Sequence, residues 1–299
     1  MRSTDRSARL AYLLLTGPAL VIYAAVIVAP ILYSLVLSFT DWAGAGAPQF
    51  VAFTNYATMF ADPVFWHALR NNGLIVLVSL LGQIPLGFFL AYVLYRRLVP
   101  FPAFFESIIF FPSLLSPVVV GILFAVVFSP TGLIANIIGA LLGLPQFELS
   151  AFYGKDAAIV PYLIVILWMF TGIYMVIFLA NLQKTPSDLI EAAVLDGADE
   201  WQIMTQVILP NQIPVFLTTS IYAIAGSLKS FELLWVMTGG GPSYYSTVAG
   251  MYMIQNTFTY YKYGFGSAIA VVIILLSVLL ILALTGLASA VSKKYAAGG

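Results

Sequence analysis

The sequence predicts an all-α, polytopic membrane protein with six transmembrane helices. Apolar residues make up 62% of the 299 residues, whereas charged residues make up 8%. A helix needs about 20 apolar residues to cross a hydrocarbon layer of about 30 Å, and runs of that length recur along the chain. We predict spans one to six at 10–37, 73–95, 104–128, 157–182, 213–236 and 265–291.

The charges and the reactive side chains exclude several other classes of protein. Twelve Lys and Arg residues balance twelve Asp and Glu residues, so the chain has no basic surface for nucleic acid. It has no cysteine and a single histidine, whereas metal clusters are built mainly from these residues. We therefore expect no metal site in this chain.

The first apolar run follows Arg2, Arg6 and Arg9, and a secretory signal peptide begins in the same way. The apolar core of a signal peptide, however, has only about 7–15 residues and is followed by a small-residue cleavage site. This run is longer and shows no convincing site, so we interpret 10–37 as a retained first span.

The Lys and Arg residues outside the spans lie mostly on one side of the predicted membrane. That side holds Arg2, Arg6, Arg9, Arg96, Arg97, Lys184, Lys293 and Lys294. The other side holds Arg70, Lys155 and Lys262. Because basic residues in short loops stay in the cytoplasm, we predict that the terminal segments 1–9 and 292–299 are both cytoplasmic.

Between predicted spans four and five lies the polar, acid-rich stretch 183–212, which we call the EAA loop after Glu191-Ala192-Ala193. Thr185 is a suitable N-cap for a first helix, with Pro186 at its first position. The helix then meets Gly197, and glycine suits the left-handed conformation that ends many helices. The pattern predicts a short, capped helix.

Asp199 is a suitable cap for a second helix, with Gln202 at its third position. The residues predicted to share one face of this helix are Trp201, Met204, Val207 and Ile208. Leu209-Pro210 is expected to end the helix, since proline cannot continue the backbone ladder. Two capped helices that present acidic side chains and Trp201 between two spans indicate a surface that another protein binds.

The EAA loop resembles the loop of that name in the permease subunits of ATP-binding-cassette (ABC) importers. The matching residues are Glu191, Ala192, Ala193, Asp196, Gly197, Ala198, Ile208, Leu209 and Pro210, with Met204 where phenylalanine is usual. The resemblance implies the type I ABC importer permease fold. It also implies that the loop, including Trp201, docks in a groove of a separate ATPase subunit. ATP and Mg²⁺ would then be used by that subunit, and this chain would bind no cofactor.

Two further stretches resemble carbohydrate-type ABC permeases. One runs from Asn55-Tyr56 through Asp62-Pro63 to Trp66, and the other covers 231–242 with its Thr-Gly-Gly-Gly-Pro. The glycine run is no phosphate-binding loop, because no Lys-Ser/Thr follows it. The second stretch is similar to the first-type permease of maltose and glycerol-phosphate importers.

That resemblance implies a set of partners and a location. The partners are a second permease in a heterodimer, two ATPase subunits and an extracytoplasmic solute-binding protein. The chain would lie in the plasma membrane of a bacterium or archaeon. Closure of the ATPases would move the loops together and switch the access of a central cavity. The carried solute stays open among monosaccharides, oligosaccharides and glycerol-phosphate compounds.

Spans three and four each contain residues that could line a solute path, and for each set a purely structural role is the alternative. In span three, Pro112 and Pro117 predict a kink, which either bends the helix or turns Ser113 and Ser116 toward a polar solute. In span four, aromatic residues lie near mid-membrane: Trp168, Phe170 and Tyr174. They either pack in the core or contact the faces of sugar rings.

Span five carries Lys229 and Glu232, three residues apart. Charged groups at membrane depth are costly unless they are paired or functional. Either the two side chains neutralise each other on one helix face, or they face a water-filled path together with Ser227 and Ser230. An ion-coupled secondary transporter is the alternative function, and these two charges are its only candidate coupling groups. No ring of residues typical of a channel filter is visible.

Overall fold

The computed structural model describes residues 14–144, 154 and 157–296, with side chains through 286. The predicted terminal segment 1–9, Lys155 and residues 297–299 lie outside the described residues.

Long apolar helices dominate this part of the chain. Five are long and apolar enough to cross a membrane: Leu14–Leu37, Pro63–Tyr95, Val160–Leu182, Glu200–Lys229 and Tyr263–Gly286. The helices Pro102–Leu114 and Pro117–Val127, bent by 92°, form a sixth span when counted together. The prediction of an all-α membrane protein is confirmed, and the number of spans agrees once the bent pair counts as one.

One compact unit comprises the described residues up to Asp62 together with Met253–Ile274. Its regular elements are the π-helical turn Ala24–Val28, the helices Ala29–Leu37 and Thr54–Ala61, the strands Thr40–Asp41 and Gln49–Phe50, the π-helical turn Gln255–Thr259 and the start of the helix Tyr263–Ala296. The strands pair antiparallel with Thr40 opposite Phe50. The Thr40 carbonyl occupies the place that a Cβ on Gly264 would take, so only glycine fits there.

The second unit comprises Pro63–Tyr252 together with the described residues from Leu275 on. Besides spans two to five, it contains the helices Leu133–Leu142, Ser187–Leu195, Glu232–Thr238 and Ala249–Ile254. Span two begins at Pro63, ten residues before the predicted start, and the π-helical turn Ser79–Gln83 interrupts it. All parts of the candidate site lie in this unit.

Spans two and four form the centre of the second unit. A Cβ on Gly87 of span two would lie 2.7 Å from the Cβ of Tyr174, so the glycine permits the close helix contact. One buried cluster joins these spans to the EAA loop, for example through Phe88, Phe178 and Ile203. A second buried cluster joins them to the helices Pro117–Val127 and Glu232–Thr238.

Span three is broken rather than kinked. The helix Pro102–Phe110 tightens into a 3₁₀ turn at Phe111–Leu114, and Leu115 and Ser116 are extended. The residue before a proline disfavours the helical conformation, and proline suits the first turn of a new helix. The helix therefore restarts at Pro117. The two prolines thus produce a break where a kink was predicted.

Span five begins earlier and ends earlier than predicted. The prediction that Leu209-Pro210 ends the second EAA-loop helix is wrong, because one helix continues from Glu200 to Lys229. A π-helical turn at Ile203–Ile208 precedes Pro210, which then occupies the first turn of the following α-helical segment. Proline has no backbone N–H, but in the first turn of an α-helical segment that N–H would have no intrahelical acceptor, so proline is tolerated there. The helix ends at Lys229, and Glu232–Thr238 is a separate helix.

Candidate functional site

The first EAA-loop helix, Ser187–Leu195, starts later than predicted and without the predicted cap. Pro186 takes the N-cap position and supplies no side-chain hydrogen bond, so the prediction of a Thr185 cap is wrong. The helix ends as predicted, with Gly197 in the left-handed region at φ 81°. No atom lies within 4 Å of a Cβ built on Gly197, so its conformation rather than crowding favours glycine.

The second helix begins at a complete capping box, as predicted. The Asp199 carboxylate accepts a hydrogen bond of 2.8 Å from the Gln202 amide nitrogen. In return, the Gln202 side-chain oxygen accepts one of 2.9 Å from the Asp199 amide nitrogen. Two free N–H groups of the helix start are thereby satisfied, which fixes the direction in which the helix leaves the turn.

The two helices bury one side in the protein and expose the other. Ile190, Ile203 and Ile208 lie in the first buried cluster. Trp201 is 67% exposed, as expected for a side chain presented to another protein, whereas Met204 and Ile208, which were predicted on the same face, are buried. The π-helical turn, which bonds residue i to i+5, changes the register after Trp201.

The exposed side of the EAA loop contains a cleft and apolar side chains around it. The cleft has a volume of about 370 Å³. Its walls are formed by Ala193, Asp196, Gly197, Ala198, Gln202, Gln206 and Val207. Leu195, which is 87% exposed, and Trp201 stand on the same loop, and Glu191 and Ala192 are exposed as well. Large apolar side chains in water beside a concave surface are typical of a protein-binding site.

An ion pair ties the start of the second helix to the cytoplasm-facing end predicted for span two. Arg96 donates to both carboxylate oxygens of Glu200, at 3.1 Å from Nε and 2.6 Å from Nη2. The Tyr92 hydroxyl donates to the same carboxylate at 2.5 Å. Hydrogen bonds to this carboxylate raise the pKa of Arg96 above its usual value. This contact was not predicted, since Arg96 and Glu200 lie 104 residues apart in the sequence.

A cavity of about 230 Å³ lies among spans two, four and five of the second unit. Six of the predicted path residues line it: Phe170, Tyr174, Ser227, Lys229, Ser230 and Glu232. Ser113, Ser116 and Trp168 are not in its lining, to which span three contributes Pro117. The Ser113 hydroxyl donates to the carbonyl of Phe110 in its own helix, at 2.6 Å, and Trp168 packs against Phe124 with ring centroids 5.4 Å apart.

Hydroxyl and amide groups form pairs along the cavity wall. The hydroxyls of Ser79 and Ser227 lie 3.2 Å apart, and Tyr162 bonds Ser230. Gln83 donates to the carbonyl of Ile166 at 2.6 Å. Ser79, Gln83 and Tyr162 were not predicted as path residues. The spacing of Ser79 and Gln83, four residues apart in an otherwise apolar span, is the signal that would have pointed to them.

The two charges at the end of span five do not neutralise each other. Because the helix breaks after Lys229 and Ser230 is extended, Lys229 and Glu232 do not share a helix face. Within the described part of the chain they form no ion pair with each other. Both are exposed and line the cavity. Of the two alternatives for this pair, mutual neutralisation on one helix face is therefore wrong.

Comparison with known proteins places these features in a family of membrane subunits. The sequence model of the binding-protein-dependent transport system inner membrane component matches residues 83–296. A probable ABC transporter permease of Pyrococcus horikoshii is 32% identical over 283 residues, covering 93% of this chain and 94% of that protein.

Two similar proteins have names that include a solute. The multiple sugar-binding transport system permease of Streptococcus mutans is 32% identical and covers 79% of this chain and 80% of its own. The lactose transport system permease of Rhizobium radiobacter is 31% identical, and the match covers 87% of this chain and 89% of that protein. Among solved structures, a chain of a bacterial alginate ABC transporter, crystallised with its alginate-pentasaccharide-bound periplasmic protein, superposes with a TM-score of 0.82. The superposition covers 98% of each chain at 20% sequence identity, so the two chains share a fold.

Proposed function

The chain belongs to the binding-protein-dependent transport system inner membrane components, and on that premise we propose that it is the permease subunit of an ABC importer for a sugar, polyol or oligosaccharide. The family gives no support to an ion-coupled secondary transporter. The resemblance found in the EAA loop is confirmed at the level of the family.

The lining of the cavity is the observation that carries the proposed solute class. Tyr174 and Tyr222 supply aromatic rings, and Ser79, Ser227 and Ser230 supply hydroxyls. Ligand sites combine apolar walls with a few placed polar groups, and a sugar presents both C–H faces and hydroxyls. The names of the similar sugar and lactose permeases support the same class.

The EAA loop is proposed to carry the connection to an ATPase. Its exposed cleft, whose walls include Asp196, Gln202 and Gln206, lies on the same loop as the exposed Trp201 and Leu195, and together they offer polar and apolar contacts to a second protein. The partner ATPase would use ATP and Mg²⁺, and this chain would supply neither a cofactor site nor catalysis. Closure of two ATPases would push two such loops together, so the chain would work beside a second permease in a heterodimer and receive solute from an extracytoplasmic binding protein.

The orientation follows from the distribution of basic residues and remains part of the proposal. Arg96, Arg97 and Lys184 flank the ends of spans two and four that lie near the EAA loop. Basic residues in short loops favour the cytoplasmic side. Both termini and the EAA loop would therefore lie in the cytoplasm, where ATP is available.

The test uses the complex purified from native membranes through a tag on this chain. We expect ATP-dependent uptake of at least one member of a panel of neutral sugars and polyols in proteoliposomes. The double variant Ser227→Ala/Ser230→Ala should reduce that uptake while the complex still assembles and hydrolyses ATP. Ser113→Ala is the matched control, because the Ser113 hydroxyl bonds its own helix outside the cavity. Uptake driven by an ion gradient without ATP would refute the proposed function.

A further inference from the structure

The break in span five leaves a backbone carbonyl without its helical partner. In a continuous helix, the carbonyl of Ser227 would accept the N–H of Phe231. Ser230 is extended at ψ 118° and Phe231 departs from helical geometry at φ −149°. The Ser230 N–H donates to this carbonyl instead, in a long hydrogen bond of 3.4 Å. A carbonyl oxygen has two lone pairs, so a buried carbonyl inside a membrane protein is stabilised further by a second donor.

Asn72 of span two supplies that donor. Its side-chain nitrogen donates to the Ser227 carbonyl at 3.0 Å. Its side-chain oxygen accepts the N–H of Ala249 at 2.8 Å, at the start of the helix Ala249–Ile254. First-turn N–H groups have no partner within their own helix. One fully buried amide therefore satisfies the end of one helix and the start of another.

The segment that Asn72 holds forms one wall of the cavity. Ser227 lines the cavity and pairs with Ser79 through its hydroxyl, and the broken segment Lys229–Glu232 lines it as well. Asn72 is not in the lining. It touches the wall through the Ser227 carbonyl, so any effect on the solute passes through the position of that segment.

We propose that Asn72 is a positioning residue for transport, which holds the break in span five and so places the cavity wall that meets the solute. The inference rests on the proposed function. The break separates the helix that ends at Lys229 from the helix Glu232–Thr238, so the hydrogen bond between Asn72 and Ser227 holds the end of span five at that junction.

Asn71 is a matched control on the same helix. It is as deeply buried as Asn72, at 1% exposed. Its side-chain nitrogen donates to the carbonyls of Tyr245 and Thr247, at 2.9 and 2.8 Å. It therefore holds the loop that follows the glycine run and makes no hydrogen bond to span five. Substituting Asn71 removes two buried hydrogen bonds without releasing Ser227.

The chain offers a reporter for the wall. It contains no cysteine, so a single cysteine in this chain can be labelled alone once the partners' thiols are blocked or removed. Gly226 lines the cavity, and a Cβ built on it meets no atom within 4 Å. The experiment measures the rate at which a maleimide modifies Gly226→Cys in the complete reconstituted complex, with and without ATP and vanadate.

We expect Asn72→Leu and Asn72→Ala to raise the labelling rate in the resting complex by about tenfold, which corresponds to about 1.4 kcal/mol. Asn71→Leu and Asn71→Ala should stay near the parent rate. Leu fills the space and Ala empties it, so an effect common to both substitutions reflects the lost hydrogen bonds. If one Asn72 variant fails to assemble, the other is compared alone with its Asn71 counterpart.

Equal rates in the Asn72 and Asn71 variants would overturn the proposal. The labelling rate is measured without solute or uptake, so equal rates would refute the role of Asn72 alone. Failure of the proposed function would appear separately, as a parent complex that takes up no sugar. As a second readout, Asn72→Ala should raise the KM for uptake or lower the ratio of solute carried to ATP hydrolysed. An unchanged KM and ratio in an assembled complex would also count against the role.

Discussion

Exchanging the charges of Arg96 and Glu200 tests whether the EAA loop is fastened to span two. Arg96→Glu and Glu200→Arg each place two like charges together. The double variant restores an ion pair of opposite charges with the two positions exchanged. The single variants should weaken the coupling of ATP hydrolysis to uptake, because the capped start of the second helix loses its contact with span two. The double variant should recover part of it. Recovery should be incomplete, since an arginine at 200 cannot accept the hydrogen bond from Tyr92.

The magnitude follows from the geometry and the exposure of the pair. Hydrogen bonds to charged groups contribute about 1.5–3 kcal/mol, whereas exposed ion pairs contribute about 0.2–1 kcal/mol. The Glu200 side chain is 45% exposed and the Arg96 side chain 22%, so solvent screens the pair in part. We expect a coupling free energy of about 1–2 kcal/mol, a factor of roughly 5–30 in the equilibrium between a fastened and a released loop.

The assay is a double-mutant cycle on the reconstituted complex, read as solute carried per ATP hydrolysed and as thermal unfolding. Arg97→Glu is the control, since it reverses a neighbouring charge and leaves the pair intact. Higher salt should reduce the coupling free energy because the pair is partly exposed. If the effects of the two single variants simply add, the ion pair does not hold the loop. If Glu200→Arg abolishes ATPase binding and the double variant gives no rescue, Glu200 instead contacts the partner.

Two further predictions concern the EAA loop and the topology. Gly197→Val should uncouple ATP hydrolysis from uptake, because a left-handed conformation costs an L-residue about 1–2 kcal/mol and more for a branched one. Gly197→Asn should have a milder effect, and full coupling in the valine variant would contradict the need for a left-handed residue at the end of the first EAA-loop helix. A topology reporter fused after Gly299 should be active only as a cytoplasmic fusion, from the bias of Lys and Arg; activity confined to the outside would show that the orientation is inverted.

Features that depend on a few neighbouring residues could be predicted from the sequence. The left-handed Gly197 and the capping box of Asp199 and Gln202 were predictable because each involves residues within one turn. The break of span three was also signalled locally, by Pro112 and Pro117. Each of these features is determined by local backbone geometry and one or two side chains, and tertiary packing does not override that local preference here.

Features set by distant contacts could not be predicted in the same way. Proline at 210 is tolerated because a π-helical turn precedes it, packed through Ile203 and Ile208 on spans two and four. At the end of span five, the Ser227 carbonyl accepts a hydrogen bond from Asn72, which lies 155 residues away in the chain. Hydrophobicity alone continues past Ser230, so a span judged by apolar length extends too far.

The unbroken run of helix from Glu200 to Lys229 makes span five a lever. It contains 30 residues, which at about 1.5 Å each corresponds to a rod of about 45 Å. If the end at the EAA loop acts as the pivot, a tilt of about 10° sweeps the opposite end through roughly 8 Å, by the same rise per residue. A small rotation imposed at the loop would thus become a larger displacement at the cavity end of span five.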